Sequence, residues 1–358
     1  MRGQLQNQEP ESTGMSTKCQ PVQPRRRLPA EWEPHQATWF SWPHNQDTWP
    51  DHLTAAQTAL AQAIRHLSCG ETVHINVLDA QQAQSVRAQV GDSENIILHL
   101  VPTNDAWCRD YGPIFIQEHT EHGWQLVATH WQYNAWGEKY PPWERDQQVG
   151  RAMAALLQVP CIALTPVLEG GAIESNGAGT LLAARPCLLH PRRNPGLTTQ
   201  DWEAYFRDYF GAERVIWLDA ELQGDDTDGH VDVTTRFVAP DTLVVAVATN
   251  PADPNYPALQ AHWDRLQSLA STLHWTLIPL PLPQPIIHRG QQLPASYANF
   301  YIGNRVVLLP TFQDPQDEVA KDTLQKLFPQ RQVVGIDSRA LIEGLGGLHC
   351  LTQPVPAV

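Results

Sequence analysis

Helical and strand-like segments alternate along this chain, but many strands come in pairs with no helix between them. That rhythm constrains the fold more than any other feature. A doubly wound parallel sheet needs strict strand–helix alternation. Paired strands fit several small α/β units of mixed pairing, each with its own helix. Ala, Leu and Ile at helical spacing predict a helix over 53–67, with Gly70 just past its end. The pattern predicts further helices over 145–157, 199–210, 258–273 and 317–327, and a short one over 339–343. Strands are predicted at 73–78, 96–101, 114–116, 126–131, 162–164, 172–174, 181–183 and 188–190. Others follow at 215–218, 231–238, 243–248, 276–278, 297–302, 306–309, 333–336 and around 349–352. Thirty prolines keep these pieces short. No exact repeat of 20–50 residues is present.

The 358 residues suffice for two domains or one large one. No linker divides 29–358, so a single α/β domain is expected there, with a disordered tail over 1–28. That tail is polar, ends in Arg25-Arg26-Arg27 and lacks the apolar core of a signal peptide. No run of 18 apolar residues exists for a transmembrane helix. A cytoplasmic protein is the expectation. Lysine plus arginine against aspartate plus glutamate gives 24 − 38 = −14, which disfavours nucleic acid and anionic membrane as partners. The six cysteines share no C-x-x-C spacing, so neither a disulfide scaffold nor a zinc ribbon is indicated.

Reactive groups concentrate beside glycine or tryptophan in five segments: 104–113, 169–171, 224–232, 344–347 and 349–350. Four of them border predicted strands, the usual place for a site on a rigid scaffold. His230 and Asp232, two apart at a strand start, should face the same way. A carboxylate beside an imidazole makes it a stronger base. Taken alone they equally describe a surface pair. Cys350 follows the Gly346-Gly347 turn and stands out from the other cysteines, although a buried cysteine is usually only a small hydrophobe. Cys108, between Trp107 and Arg109, reads as structural. Asp110 and Glu169 each suit a turn cap or a cleft.

A thiol, an imidazole and three carboxylates together suggest one chemistry. Surplus carboxylates raise a thiol's pKa and weaken the nucleophile, which makes sense only if the substrate brings positive charge. A guanidinium does so, binds carboxylates through paired hydrogen bonds, and offers an electrophilic carbon.

At these residues the chain resembles the agmatine deiminases of the guanidine-modifying (pentein) superfamily, which are related to bacterial peptidylarginine deiminases. The resemblance runs from about Leu28 to Pro356. It is carried by Pro29–His35, Trp39–Pro43, Asn104–Pro113, Asn134–Gly137, Leu168–Gly171, Gly224–Asp232, Ala295–Phe300 and Gly346–Gln353. It implies a five-bladed α/β propeller with a pseudo-fivefold axis and a central site. It implies Cys350 as nucleophile and His230 as general acid and base, with Glu169 orienting the histidine. Asp110 and Asp232 would hold the guanidinium, Trp107 would wall the pocket, and Asp226 would meet the distal amine of agmatine. The product would be N-carbamoylputrescine, feeding putrescine synthesis, with no metal or organic cofactor. Leu348 and Val231 depart from the family pattern without removing a functional group. A homo-oligomer is compatible with all of this.

Three other readings remain. The same chemistry could act on free or peptidyl arginine, where free arginine would need a pocket arginine for its carboxylate. A metal hydrolase would use some of the 15 histidines, although no H-E-x-x-H exists and His119 and His122 stand among polar residues. A non-catalytic binding protein could share the fold.

Overall fold

Five sheets repeat one pattern in the computed structural model, which describes residues 26–219 and 221–358. In each, an antiparallel pair is extended by a parallel strand reached through a helix. Thr235–Ala239 pairs antiparallel with Thr242–Val247, helix Tyr256–Leu273 crosses, and Thr276–Pro281 returns parallel. Ile173–Ser175, Thr180–Ala184 and Arg214–Leu218 do the same around helix Thr199–Phe210. Tyr301–Ile302, Val306–Thr311 and Gln332–Asp337 do so around Gln316–Leu327. Ile114–Thr120, Gly123–Gln132 and Cys161–Val167 surround helix Asp146–Leu157, and the short strand Arg26–Arg27 adds an edge. The last sheet joins the two ends of the chain. Gln353–Pro356 pairs antiparallel with His35–Ser41, which continues parallel to Thr72–Val77 and Ile96–Leu100. A separate hairpin pairs Ile287–His288 with Gln291–Gln292.

The helices form where the apolar spacing demands. In Leu53–Leu67 the buried face is Ala56, Leu60, Ala63, Ile64 and Leu67. Each large side chain there gains about 1.5–3 kcal/mol from burial. Thr199–Phe210 begins at a capping box between Thr198 and Asp201 and ends on left-handed Gly211. Three apolar clusters fill the space between sheets, and Trp32 packs against two of them. No helix among the described residues is long and apolar enough to cross a membrane.

Several expectations fail locally. Strand 231–238 begins only at Thr235, because Val231–Val233 is a 3-10 turn closed by Thr234 N–H on the Val231 carbonyl. The strand around 349–352 is likewise a turn, His349–Leu351, since His349 N–H is drawn to the Asn299 side chain. Segment 188–190 is no strand; Pro186 starts the helix Arg185–Leu188. Strand 297–302 shrinks to Tyr301–Ile302. Helix Ala80–Val90 and strand His35–Ser41 are additional. Of the expected tail, Arg26 and Arg27 instead pair with Glu118 and Gln117, and Leu28 N–H reaches the Phe210 carbonyl. Residues 1–25 lie outside the described residues.

Candidate active site

Each sheet unit is entered through a short connection, and the reactive side chains sit on those connections. Asp110 lies four residues before strand Ile114–Thr120, on the one-turn helix Cys108–Tyr111. Glu169 stands before the turn Gly170–Ala172 that leads into Ile173–Ser175. His230 and Asp232 precede Thr235–Ala239, and Cys350 precedes Gln353–Pro356. His230 and Asp232 do converge, but through a turn and not by strand alternation. Five of the expected residues therefore meet in space although they span 110 to 350.

His230 is fully buried. Its Nε2 is 2.8 Å from Glu169 Oε2. Its Nδ1 has no hydrogen-bond partner and lies 3.8 Å from Asp110 Oδ1. Burial works against its charge, but Asp110, Cys187 and Glu169 outweigh it and raise its pKa well above the usual 6.5. A Cβ on Gly171 would overlap Nδ1, so the glycine makes room for the ring.

Glu169 is set by a residue the motifs did not single out. Arg193, its side chain buried, donates to Glu169 Oε1 at 2.7 Å and Oε2 at 3.1 Å. Burial pushes the Glu169 carboxyl up, yet Arg193 and then His230 hold it at about 2. Arg193 also donates to Asp228 at 2.6 Å and to the Thr227 carbonyl, tying the 224–230 loop to the site.

Asp110 behaves in the opposite way. It accepts from Gly171 N–H at 3.1 Å and Trp136 Nε1 at 3.0 Å. Burial nevertheless lifts its pKa to about 6, helped by Glu169 and Asp232 and opposed by His230. Asp232 is buried as deeply, but His349 donates to its Oδ2 at 2.7 Å and holds it below the usual carboxylate range. Asp232 Oδ1 has no partner. Cys350 Sγ lies 3.7 Å from Asp232 Oδ2 and receives Asn299 Nδ2 at 3.3 Å. Burial, then Asp232 and Asp110, push this thiol well above 9. Cys108, by contrast, is a buried core thiol raised to about 12.

Cys350 and Asp110 line a cavity of about 660 Å³. Trp107 and Trp136 form part of its wall, and Asp226 lies in the lining. Asp226 is already engaged: Lys139 Nζ donates to it at 3.2 Å and the Tyr140 hydroxyl bonds its other oxygen. Lys139 is the one lysine of the described lining, no arginine lines it, and that lysine also contacts Asp228 at 3.0 Å.

Glu169, Cys187 and His230 could in principle share a metal ion. The fit is poor, because both Glu169 oxygens already bond Arg193, and a metal cation would stand beside that guanidinium. His119 packs against Trp124 and His122 lies beside Glu121, so neither joins this group. Arg193, Asn299, His349 and Glu31 escaped assignment. Asn299, His349 and Glu31 lie in segments that carry the resemblance, but only the fold shows what they touch.

The family model for Porphyromonas-type peptidyl-arginine deiminase matches residues 27–356. An agmatine deiminase of Pseudomonas syringae pv. tomato is 37% identical over 358 residues, covering 92% of this chain and 95% of that protein. A solved C. jejuni agmatine deiminase with substrate bound superposes with a TM-score of 0.85 at 28% identity, covering 93% and 96% of the two chains. An Enterococcus faecalis agmatine deiminase gives 0.85 at 30% identity over the same shares. An amidinotransferase from Microseira wollei, 11% identical with a TM-score of 0.54 over 92% of this chain and 96% of its own, shares the fold alone.

Proposed function

The chain belongs to the Porphyromonas-type peptidyl-arginine deiminase family, and from that premise we propose that it is an agmatine deiminase. It hydrolyses the guanidine of agmatine to N-carbamoylputrescine and ammonia. The observation that carries this reading is a thiol beside two buried carboxylates at a cavity whose described lining has no arginine and one lysine already held by aspartates. Such a lining favours a substrate with a bare cationic tail over one with an α-carboxylate.

In this mechanism Asp110 and Asp232 grip the guanidinium, with Trp107 along the pocket wall. Its charge offsets theirs and favours the Cys350 thiolate, whose proton is released to bulk water. Sulfur attacks the guanidine carbon, and His230 gives its Nδ1 proton to the departing nitrogen, which leaves as ammonia. A water then adds to the amidino-thioether carbon while His230 takes its proton. The C–S bond breaks, returning the thiol and leaving the ureido product. Glu169 keeps the imidazole oriented and charged. Asp226, bound to Lys139 and Tyr140, would meet the distal amine of agmatine through its remaining lone pairs.

The repeated sheet units support a five-bladed propeller with one catalytic domain running through residue 358. A cytoplasmic setting fits the five described cysteines, all free. Incubating the enzyme with agmatine, arginine and an arginine peptide, with product mass and initial rates as readout, tests the assignment. N-Carbamoylputrescine with agmatine as the best substrate is the expected outcome. Faster turnover of either arginine substrate overturns it, and Cys350→Ala should leave no measurable turnover.

A further inference from the structure

Nothing in the reaction above uses His349 or Glu31, yet His349 bonds Asp232 directly and Glu31 bonds His349. His349 is 1% exposed. Its Nδ1 contacts Asp232 Oδ2 at 2.7 Å and its Nε2 contacts Glu31 Oε2 at 2.8 Å. Ionised carboxylates only accept, so the ring serves as donor to both. Glu31 also accepts from Arg109 Nη2 at 2.8 Å, Arg236 Nη2 at 2.8 Å and Ile302 N–H at 3.0 Å. Arg236 is itself immobilised by Glu174 and by the carbonyls of Ala298 and Phe300. Asp232 is thus anchored, through one imidazole, to a buried charged centre that draws on four parts of the chain.

The contrast with Asp110 shows what the anchor does. Both carboxylates are buried near the same thiol. Asp110, whose imidazole neighbour stands 3.8 Å away, is lifted to about 6. Asp232, in hydrogen-bond contact with His349, is held below 3.8 against the same burial. The Asn299 side chain completes the arrangement by accepting His349 N–H at 3.0 Å while donating to Sγ.

We propose that His349, seated on Glu31, is a positioning residue that fixes the Asp232 carboxylate with Oδ2 beside the Cys350 thiol and the unpartnered Oδ1 presented to the guanidinium. This rests on the agmatine reading above. Two substitutions divide the histidine's bonds. His349→Asn sets an amide near the Nδ1 position and keeps the bond to Asp232. His349→Gln reaches the Nε2 position and keeps only the bond to Glu31. The expected result is that His349→Asn stays within about tenfold of wild-type kcat/KM. His349→Gln should fall at least tenfold below that, chiefly through KM, with the acid limb of its pH profile moved to higher pH. Equal losses, or an unmoved acid limb, overturn the proposal, because a merely structural histidine would lower the unfolding midpoint without moving the profile. If His349→Gln does not fold, His349→Asn decides alone, and a loss beyond tenfold overturns it. If the wild type does not turn over agmatine, the functional reading fails separately. The pH dependence of Cys350 alkylation by iodoacetamide then serves, and it should change in His349→Gln and not in His349→Asn.

Discussion

Asp110 holds a proton at a pH where an exposed aspartate has lost it. Its pKa is about 6, raised by burial and by Glu169 and Asp232, so under the proposed mechanism guanidinium binding is coupled to pH. Protonation removes both the charge and an acceptor, so KM for agmatine should rise as pH falls through about 6. Glu169 runs the other way. Its carboxyl is lowered from 4.5 to about 2, so its stabilising contribution is present above 4.5 and fades as pH falls towards 2. Affinity should therefore fail before the fold does. At pH 5 the protein should show native far-ultraviolet circular dichroism, a raised KM, and full recovery on return to pH 7.5. Loss of ellipticity in step with activity would contradict this ordering. The residue types of the site were legible in the sequence because Asp110, Glu169, His230, Asp232 and Cys350 each stand in a Gly-rich or Trp-flanked segment. Their partners were not. Arg193 and Glu31 act through contacts formed only after distant segments meet, and no local spacing encodes such a meeting.

At the scale of elements, the thiol depends on the connection 341–350. Leu341–Gly344 is a 3-10 turn, and Leu345 follows in the left-handed region at φ 68°. Gly346 then passes directly against the Trp107 ring, where an added Cβ would overlap Cζ3. Trp107 cannot retreat freely, because it packs on Trp49 with ring centroids 5.3 Å apart. Gly346→Ala must displace the tryptophan or the turn that carries Cys350. Overpacking of this kind costs about 1–3 kcal/mol. A fall in kcat/KM of roughly ten- to hundredfold is expected, since small misplacements of reacting groups reach that size. A fully active Gly346→Ala enzyme would show that the turn has slack. Long helices were legible because their apolar faces are strongly periodic, as in Leu53–Leu67. Helix Ala80–Val90 buries only Val86 and Val90, too few to register as a period, although Asp79 capping the Gln82 N–H was a usable signal. Strand Gln353–Pro356 carries two prolines, which suit its place at the edge of its sheet but mask it as a strand.

Across the whole molecule, the five sheets and the scattered site have one explanation. Asp110, Glu169, Asp232, Asn299 and Cys350 each lie two to four residues before the first strand of a successive unit. Candidate-site groups 240 residues apart thus occupy corresponding places in repeated units, which explains why strand pairing was readable and exact sequence repetition was not. In the unit containing Cys350 the first strand comes from the C-terminus and the rest from the N-terminal part of the chain. Val355 is fully buried, and Gln353 Nε2 donates to the Pro113 carbonyl at 2.8 Å, next to the Asp110 turn. Ala357 adds a backbone bond to Pro34 at 2.9 Å and accepts Gln117 Nε2 at 2.6 Å. A chain ending at Thr352 keeps every side chain of the proposed mechanism but loses this closure. It should lose more than about a hundredfold in kcat/KM, the scale of a reacting group misplaced by an ångström. Its thermal unfolding midpoint should also fall. Wild-type rates from the shortened chain would mean that Asn299, Asp232 and the 341–350 connection hold the thiol unaided, and that the closing strand serves the sheet alone.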